Sequence, residues 1–468
     1  MIGSTLCAAA MCVAAVKLAC DRAAACTTAA CTTAGGRGFI RRLAMTTLAA
    51  AALMTTAAGQ NVREKTIMRV FWQDAASQKL SYANLTASSR WNLRRGWVGG
   101  FPQLEASTQS LGEMVAVDGQ VFVSVTAADD TAAGGWLCLD SGAFEEPHGN
   151  HTHWKYTRTP RVRQSELAVG RGQTAGLMQH NGTVVHADST GACTLLTTGQ
   201  MKFGGDRGLR QLTLPQPARF CLIEGQHLFT AGEKSERIAT ASYDISAATR
   251  PLNGSDFPGA QLTGIVYNSG RTFVAYDRGI QREISRANGR ETTSLDLQEM
   301  VHEMTSEQDW VLFTCGVGED TRLCLTRAAD PGRGFVTLPV PGSDGTKPRS
   351  LSTKLSLGKR YAFVIQETAT AGTPAKEQLV IIRLDPNKDG DFSDATIRQR
   401  IDLGMRPPAP AGNSGLCFDA YGRYAVVSSP AAGVLTVISL SKMSVVARFQ
   451  VGGAPGRIVG VGAAEHFH

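Results

Sequence analysis

The feature that most constrains the fold of this chain is a recurrence. From about residue 68, an apolar strand, a Gly/Asn/Asp turn, a second apolar strand, a polar turn and a third strand, often followed by a fourth, return about every 45 residues. The openings are clearest at 113–119, 175–182, 219–225, 262–270 and 415–422, with less regular copies beginning near Val301 and Leu351. Four short strands per unit at this period is the pattern of WD40-like propeller blades, which bury their faces only against one another. A chain of 468 residues exceeds what a single core usually fills, and a repetitive domain accommodates that length. Fifty Gly, many short Val/Ile/Thr/Phe runs and no long Glu/Lys/Leu stretch agree on an all-β class.

The two ends of the repeat region complement each other. The last full copy, at 417–451, is followed by one more strand, 457–462, while the N-terminal strands at 68–74, 79–85 and 91–94 lack an inner partner. A ring removes its open sheet edges by joining its ends, so the C-terminal strand is expected to be the innermost strand of the blade that the N-terminus completes. This gives a β-propeller of eight four-stranded blades over 60–468, or seven if one irregular copy is not a blade.

Residues 1–59 read differently. An Ala/Thr/Cys-rich stretch over 1–36 holds five of the eleven cysteines, then Arg37, Arg41 and Arg42 precede an apolar run from Leu43 to Ala58 that ends in small residues. That order of basic, apolar and small segments is a secretory signal peptide whose natural start lies inside the chain, and the run is too short and Thr-diluted for a membrane anchor. A periplasmic or secreted location follows. Without 1–59, which carry Lys17, Arg22, Arg37, Arg41, Arg42 and Asp21, the 47 basic and 40 acidic residues become 42 and 39. A net +3 argues against a dedicated nucleic-acid surface or membrane insertion of the mature chain. The remaining cysteines, Cys138, Cys193, Cys221, Cys315, Cys324 and Cys417, show no CxxC spacing and read as buried thiols, although Cys315 and Cys324 flank one hairpin closely enough to be cross-linked in an oxidising compartment.

Three of the nine histidines, His148, His151 and His153, fall within six residues behind Glu145 and Glu146. Imidazole nitrogen suits zinc, and in an extended chain His151 and His153 share one face while Gly149 lets His148 turn back toward them. A solvated polar hairpin loop is the plain alternative. Strand counting puts this run between the third and fourth strands of the second blade, on the face of the disc where His180 and the terminal His466 and His468 also emerge; these are candidate further ligands.

A second candidate is 385–394. Asp385, Asn387 and Asp389 stand at positions 1, 3 and 5 of an EF-hand-like calcium loop, with Gly390 at the sharp turn and the Asp391 carbonyl at position 7. Thr396 replaces the usual closing Glu, leaving Asp394 or an outside carboxylate to complete the shell. Such an ion would staple the loop.

The His-Gly-Asn-His-Thr-His-Trp run in a secreted repetitive β-chain resembles the periplasmic zinc chaperones, propellers that accompany ABC-type zinc importers. The resemblance implies zinc on His148, His151 and His153 and delivery to a zinc solute-binding protein. Without it two other classes stay open: a non-enzymatic protein-binding scaffold with structural metals, or a propeller enzyme of unidentified substrate, for which Glu145 or Glu146 would be the nearby acid or base.

Overall fold

The computed structural model describes residues 65–462, apart from the segments 199–208, 215–217, 246–250, 317–320, 340–347, 357–360, 369–375 and 406–413 and a number of single residues and pairs. Residues 1–64 and the tail carrying His466 and His468 lie outside the described residues.

Eight four-stranded antiparallel sheets follow one another around a common axis. The first and second strands of blades 2 to 8 begin with Gln109–Val117 and Gln120–Ala127, Thr174–His180 and Thr183–Asp188, Phe220–Glu224 and His227–Lys234, Leu262–Asn268 and Arg271–Tyr276, Val301–Glu307 and Trp310–Cys315, Pro348–Ser356 and Tyr361–Thr368, and Leu416–Phe418 and Tyr424–Ser429. Both irregular copies are therefore true blades, and the ring has eight. Blade 1 is assembled from both ends: Pro455–Val461 pairs with Lys65–Asp74, which pairs with Lys79–Ala87 and then Trp91–Trp97. The closing strand packs against the inner strands of blade 2 and blade 8, so no sheet edge is left open at the seam. Apart from Thr198, helical at the border of the undescribed segment 199–208, the helical structure among the described residues is one 3-10 turn, Pro331–Arg333, and no helix there is long and apolar enough to cross a membrane.

The middle strands read as near-continuous apolar runs because each blade is covered on both faces by its neighbours. Gln120–Ala127 is buried at all but one position, whereas the outer strand Trp91–Trp97 has no buried residue. The core lies between blades. Phe363 and Phe418 meet edge-on at 5.2 Å between blades 7 and 8, and Met68, Val70 and Trp72 pack on Val426, Leu435 and Val437 between blades 1 and 8. Each such side chain contributes about 1.5–3 kcal/mol of burial.

A local device recurs on the inner strands. The pairing of first and second strand slips at Leu111/Met114, Thr174/Gly176, Leu262/Gly264, Val301/Glu303 and Ser350/Ser352. A bulge leaves a backbone N–H outside the ladder. In blades 2 and 6 a hydroxyl on the second strand accepts such an N–H, Ser124 from Glu113 (2.7 Å) and Thr314 from Glu303 (3.2 Å), and in blade 8 Ser428 likewise accepts from Gly415, just before the first strand (2.8 Å). Side chains also tie neighbouring blades, as where the Glu113 carboxylate accepts from the Leu177 N–H at 2.8 Å.

The six described cysteines are all buried and unlinked, with the Cys315 and Cys324 sulfurs 3.8 Å apart. His186, on the second strand of blade 3, is 2% exposed, and neither its Nε2 nor the hydroxyl of Thr194 directly opposite meets a partner. Burial pushes the His186 imidazole down to about 4. His302 instead makes a 2.5 Å contact from Nε2 to the Gly316 carbonyl.

Candidate metal centre

Between the third strand of blade 2, Ala133–Asp140, and its fourth, Arg161–Arg171, the chain leaves the blade and forms a separate two-stranded ribbon, Ala143–His148 with His151–Tyr156. Only two residues separate the strands, and the first of them, Gly149, takes φ +64°, a conformation open to glycine. With a connection that short, the register is fixed: His148 opposes His151, Glu146 opposes His153 and Glu145 opposes Trp154. Directly opposed residues share a face, and faces alternate along each strand. The positions of Glu146, His148, His151 and His153 thus fall together on one face of the ribbon, with Phe144 and Lys155. Glu145, Pro147, Thr152 and Trp154 fall on the other, with Ala143 and Tyr156.

That second face is the floor on which the ribbon sits. Ala143 is 5% exposed, and the Tyr156 hydroxyl donates to the Val461 carbonyl at 3.2 Å. A Cβ on Gly462, whose φ is +72°, would lie 2.6 Å from Trp154 Cγ, and one on Gly119 would lie 3.6 Å from the same ring. The indole therefore rests directly on the end of the ring-closing strand and on the first turn of blade 2.

The root of the ribbon is held by Arg69, which is 2% exposed. Its Nε donates to Asn84 Oδ1 at 2.7 Å, and its Nη1 donates to the carbonyls of Arg158, at 2.8 Å, and Ser141. The guanidinium also lies 5.8 Å from the centre of the Tyr156 ring. Burial lowers the Arg69 guanidinium from its ordinary value, and burial likewise pushes the Tyr156 phenol up, opposed by the charge of Arg69. Sequence reasoning missed Arg69 because its partners lie 72 and 89 residues away.

On the other side the ribbon reaches across blade 1 to blade 8. His153 Nδ1 lies 3.4 Å from the Tyr421 hydroxyl, on the turn after the first strand of blade 8, where Arg423 covers the Tyr421 ring at 4.8 Å and pairs with the buried Asp419 at 3.1 Å. The metal-ligating histidine candidate whose side chain the structure describes, His153, is partly buried. Glu146 pairs with Lys155 at 3.0 Å, each about half exposed. His180 is the last residue of the first strand of blade 3, paired with Thr183 across the first turn. Gly182 of that turn adjoins Asp118, whose carboxylate accepts from Thr198 at 2.6 Å, and Asp118 precedes the Gly119 beneath Trp154. The His180 turn and the ribbon thus adjoin the same turn of blade 2.

The acidic loop occupies the corresponding slot of blade 7, between Lys376–Arg383 and Thr396–Met405. Ligand atoms of Asp385, Asp389 and Asp394 lie within 4.8 Å of one another. Asp385, 1% exposed, accepts from the N–H groups of Asp389 and Gly390, both at 3.1 Å. Asn387 is turned to donate to Asp394 at 2.5 Å, and the Asp391 carboxylate takes the Ser393 N–H and hydroxyl at 2.8 and 2.7 Å, which hold it below the usual carboxylate range. Three of the five expected residues converge, and the side chains of Asn387 and Asp391 serve the turn instead. Asp394 Oδ1 is buried with no partner, as expected where an oxygen-seeking ion fits. The edge of Phe392 against Trp310, at 4.2 Å, anchors the loop to blade 6.

No protein-family model matches the chain, and no curated protein matches it. Solved structures do. The fold is shared with AztD of Citrobacter koseri. Two structures of that protein, one of them apo, superpose with a TM-score of 0.59 over 86% of this chain and 99% of theirs, at 14% identity. The dihydro-heme d1 dehydrogenase NirN, in complex with DHE, matches at 0.52 over 86% of this chain and 77% of its own, also at 14% identity. Likeness at this identity establishes the propeller fold and nothing finer.

Proposed function

We propose that this protein is a periplasmic or secreted metal-binding propeller that holds zinc on the ribbon through His148, His151 and His153 and passes it to the solute-binding protein of an ABC-type zinc importer. The ribbon's register carries the assignment, since it gathers three histidine positions and one glutamate on a single face. Residues opposed across an antiparallel pair have Cβ atoms about 5 Å apart, a span from which imidazole and carboxylate donors reach one zinc at about 2 Å. The ribbon lies outside the blade's own hydrogen bonding, so ligands can exchange without disturbing the core. The His-Gly-Asn-His-Thr-His-Trp run resembles the periplasmic zinc chaperones, and the chain shares its propeller fold with AztD. His466 and His468 follow Gly462 by four and six residues. At about 3.5 Å per residue they can return about 14–21 Å from a point that touches Trp154, which keeps the tail, like His180, among the supporting ligands.

The blade 7 loop is proposed as a structural calcium site built on Asp385, Asp389 and Asp394, with Asn387 and the Asp391 carbonyl turning inward on binding. The leader over 1–59 is proposed to direct export.

Equilibrium dialysis with metal analysis of the full chain tests the zinc assignment. One zinc bound by the wild type should be lost on replacing His151 and His153 with Ala, and it should move to an apo solute-binding protein when the two are mixed. Unchanged zinc content in the double variant sinks the site, and zinc that will not exchange sinks delivery.

A further inference from the structure

We infer that Glu146 is the fourth zinc ligand of the ribbon and that Lys155 holds its carboxylate when no metal is bound. The inference rests on the zinc reading of the ribbon and deepens it. Two carboxylates stand beside the histidines in sequence, and the register separates them. Glu145 opposes Trp154, on the face seated on Gly119 and Gly462, and so faces away from the histidine positions. Glu146 opposes His153 directly and shares its face with positions 148 and 151.

The surroundings of Glu146 suit a ligand that must also let go. Its partner is Lys155, on the same face two residues beyond His153, with Nζ 3.0 Å from Oε2 and both side chains about half exposed. An exposed ion pair of this kind is weak and screened by salt, so a divalent ion can displace the ammonium. Three neutral imidazoles leave a zinc site at +2, and an ionised carboxylate lowers that to +1 and supplies the fourth position of a tetrahedral shell. When zinc departs, Lys155 returns to Glu146, and the carboxylate is never left bare. A closed structural zinc site has no need of such a competing cation.

The test measures Zn²⁺ affinity of the full chain against a chromophoric chelator, with cobalt as a spectroscopic probe. Glu146→Gln should weaken zinc by about tenfold or more and change the visible spectrum of the Co²⁺ form. Glu146→His, which restores a donor at the same position, should bind within a few-fold of wild type. Lys155→Met should tighten binding a few-fold, and unchanged melting curves would show that the fold is intact. If Glu146→Gln binds like wild type while His153→Ala loses zinc, the role of Glu146 is overturned and the ribbon site stands. If neither substitution matters, the ribbon is not the zinc site, and both proposals fall together.

Discussion

His186 offers a quantitative test of the packing between blades 2 and 3. It opposes Leu177 on one side and Thr194 on the other, in the layer formed by Phe122, Trp136, Leu177, Val184 and Leu196. Protonating it there places a charge among apolar groups, which is why burial depresses it to about 4 from an ordinary 6.5. In the unfolded chain the same imidazole titrates normally, so between those values the unfolded state binds more protons and stability falls as pH falls. Above pH 6.5 both states are neutral and the term vanishes; it then grows to about 2 kcal/mol at pH 5 and about 3 kcal/mol at pH 4. His186→Leu keeps the volume and removes the titration. Urea unfolding followed by tryptophan fluorescence, at half-unit steps from pH 7.5 to 4, should show the variant gaining on wild type by these amounts. Parallel curves for the two proteins would refute the reasoning, since they would mean that His186 is solvated or paired in the native state.

Three further outcomes are expected. Arg69→Met should destabilise the chain by about 3 kcal/mol, because it strands two carbonyls and Asn84, and should weaken zinc binding without touching a ligand; denaturant melts and chelator competition check both. Gly462→Ala forces a side chain at φ +72° into Trp154, which costs about 1–2 kcal/mol of backbone strain and lifts the ribbon off its seat, visible as a lower melting temperature with weaker zinc. Removing calcium with EGTA should lower the melting temperature by a few degrees, as expected for losing about 2–3 kcal/mol of ligand stabilisation, and Asp385→Asn should abolish the difference between calcium and EGTA.

The fold was largely legible because a propeller writes its period into the chain. The unpartnered strand read at 457–462, found at Pro455–Val461, and the three partnerless N-terminal strands had one consistent solution, and strand counting alone put the histidines between the third and fourth strands of blade 2. Finer features depended on parity and distance. Whether Glu145 or Glu146 joins the histidines turns on a two-residue connection, and a one-residue change would swap every side chain between faces. Tyr421 stands 268 residues from His153, and no local pattern predicts that contact. In the acidic loop the alternation of oxygens was readable, yet Asn387 donates to the Asp394 carboxylate and Asp391 accepts from the Ser393 N–H, because short Asx side chains bond to groups close in sequence when nothing else claims them.

The seat of the ribbon has a consequence in time. Val461 and Gly462, on which Tyr156 and Trp154 rest, leave the ribosome some 300 residues after the histidines. A chain still being synthesised or threaded across a membrane has the histidine run but not the floor beneath it. A ribbon built this way reaches its final geometry only once the ring has closed, so any metal it proved to hold there would mark a closed ring.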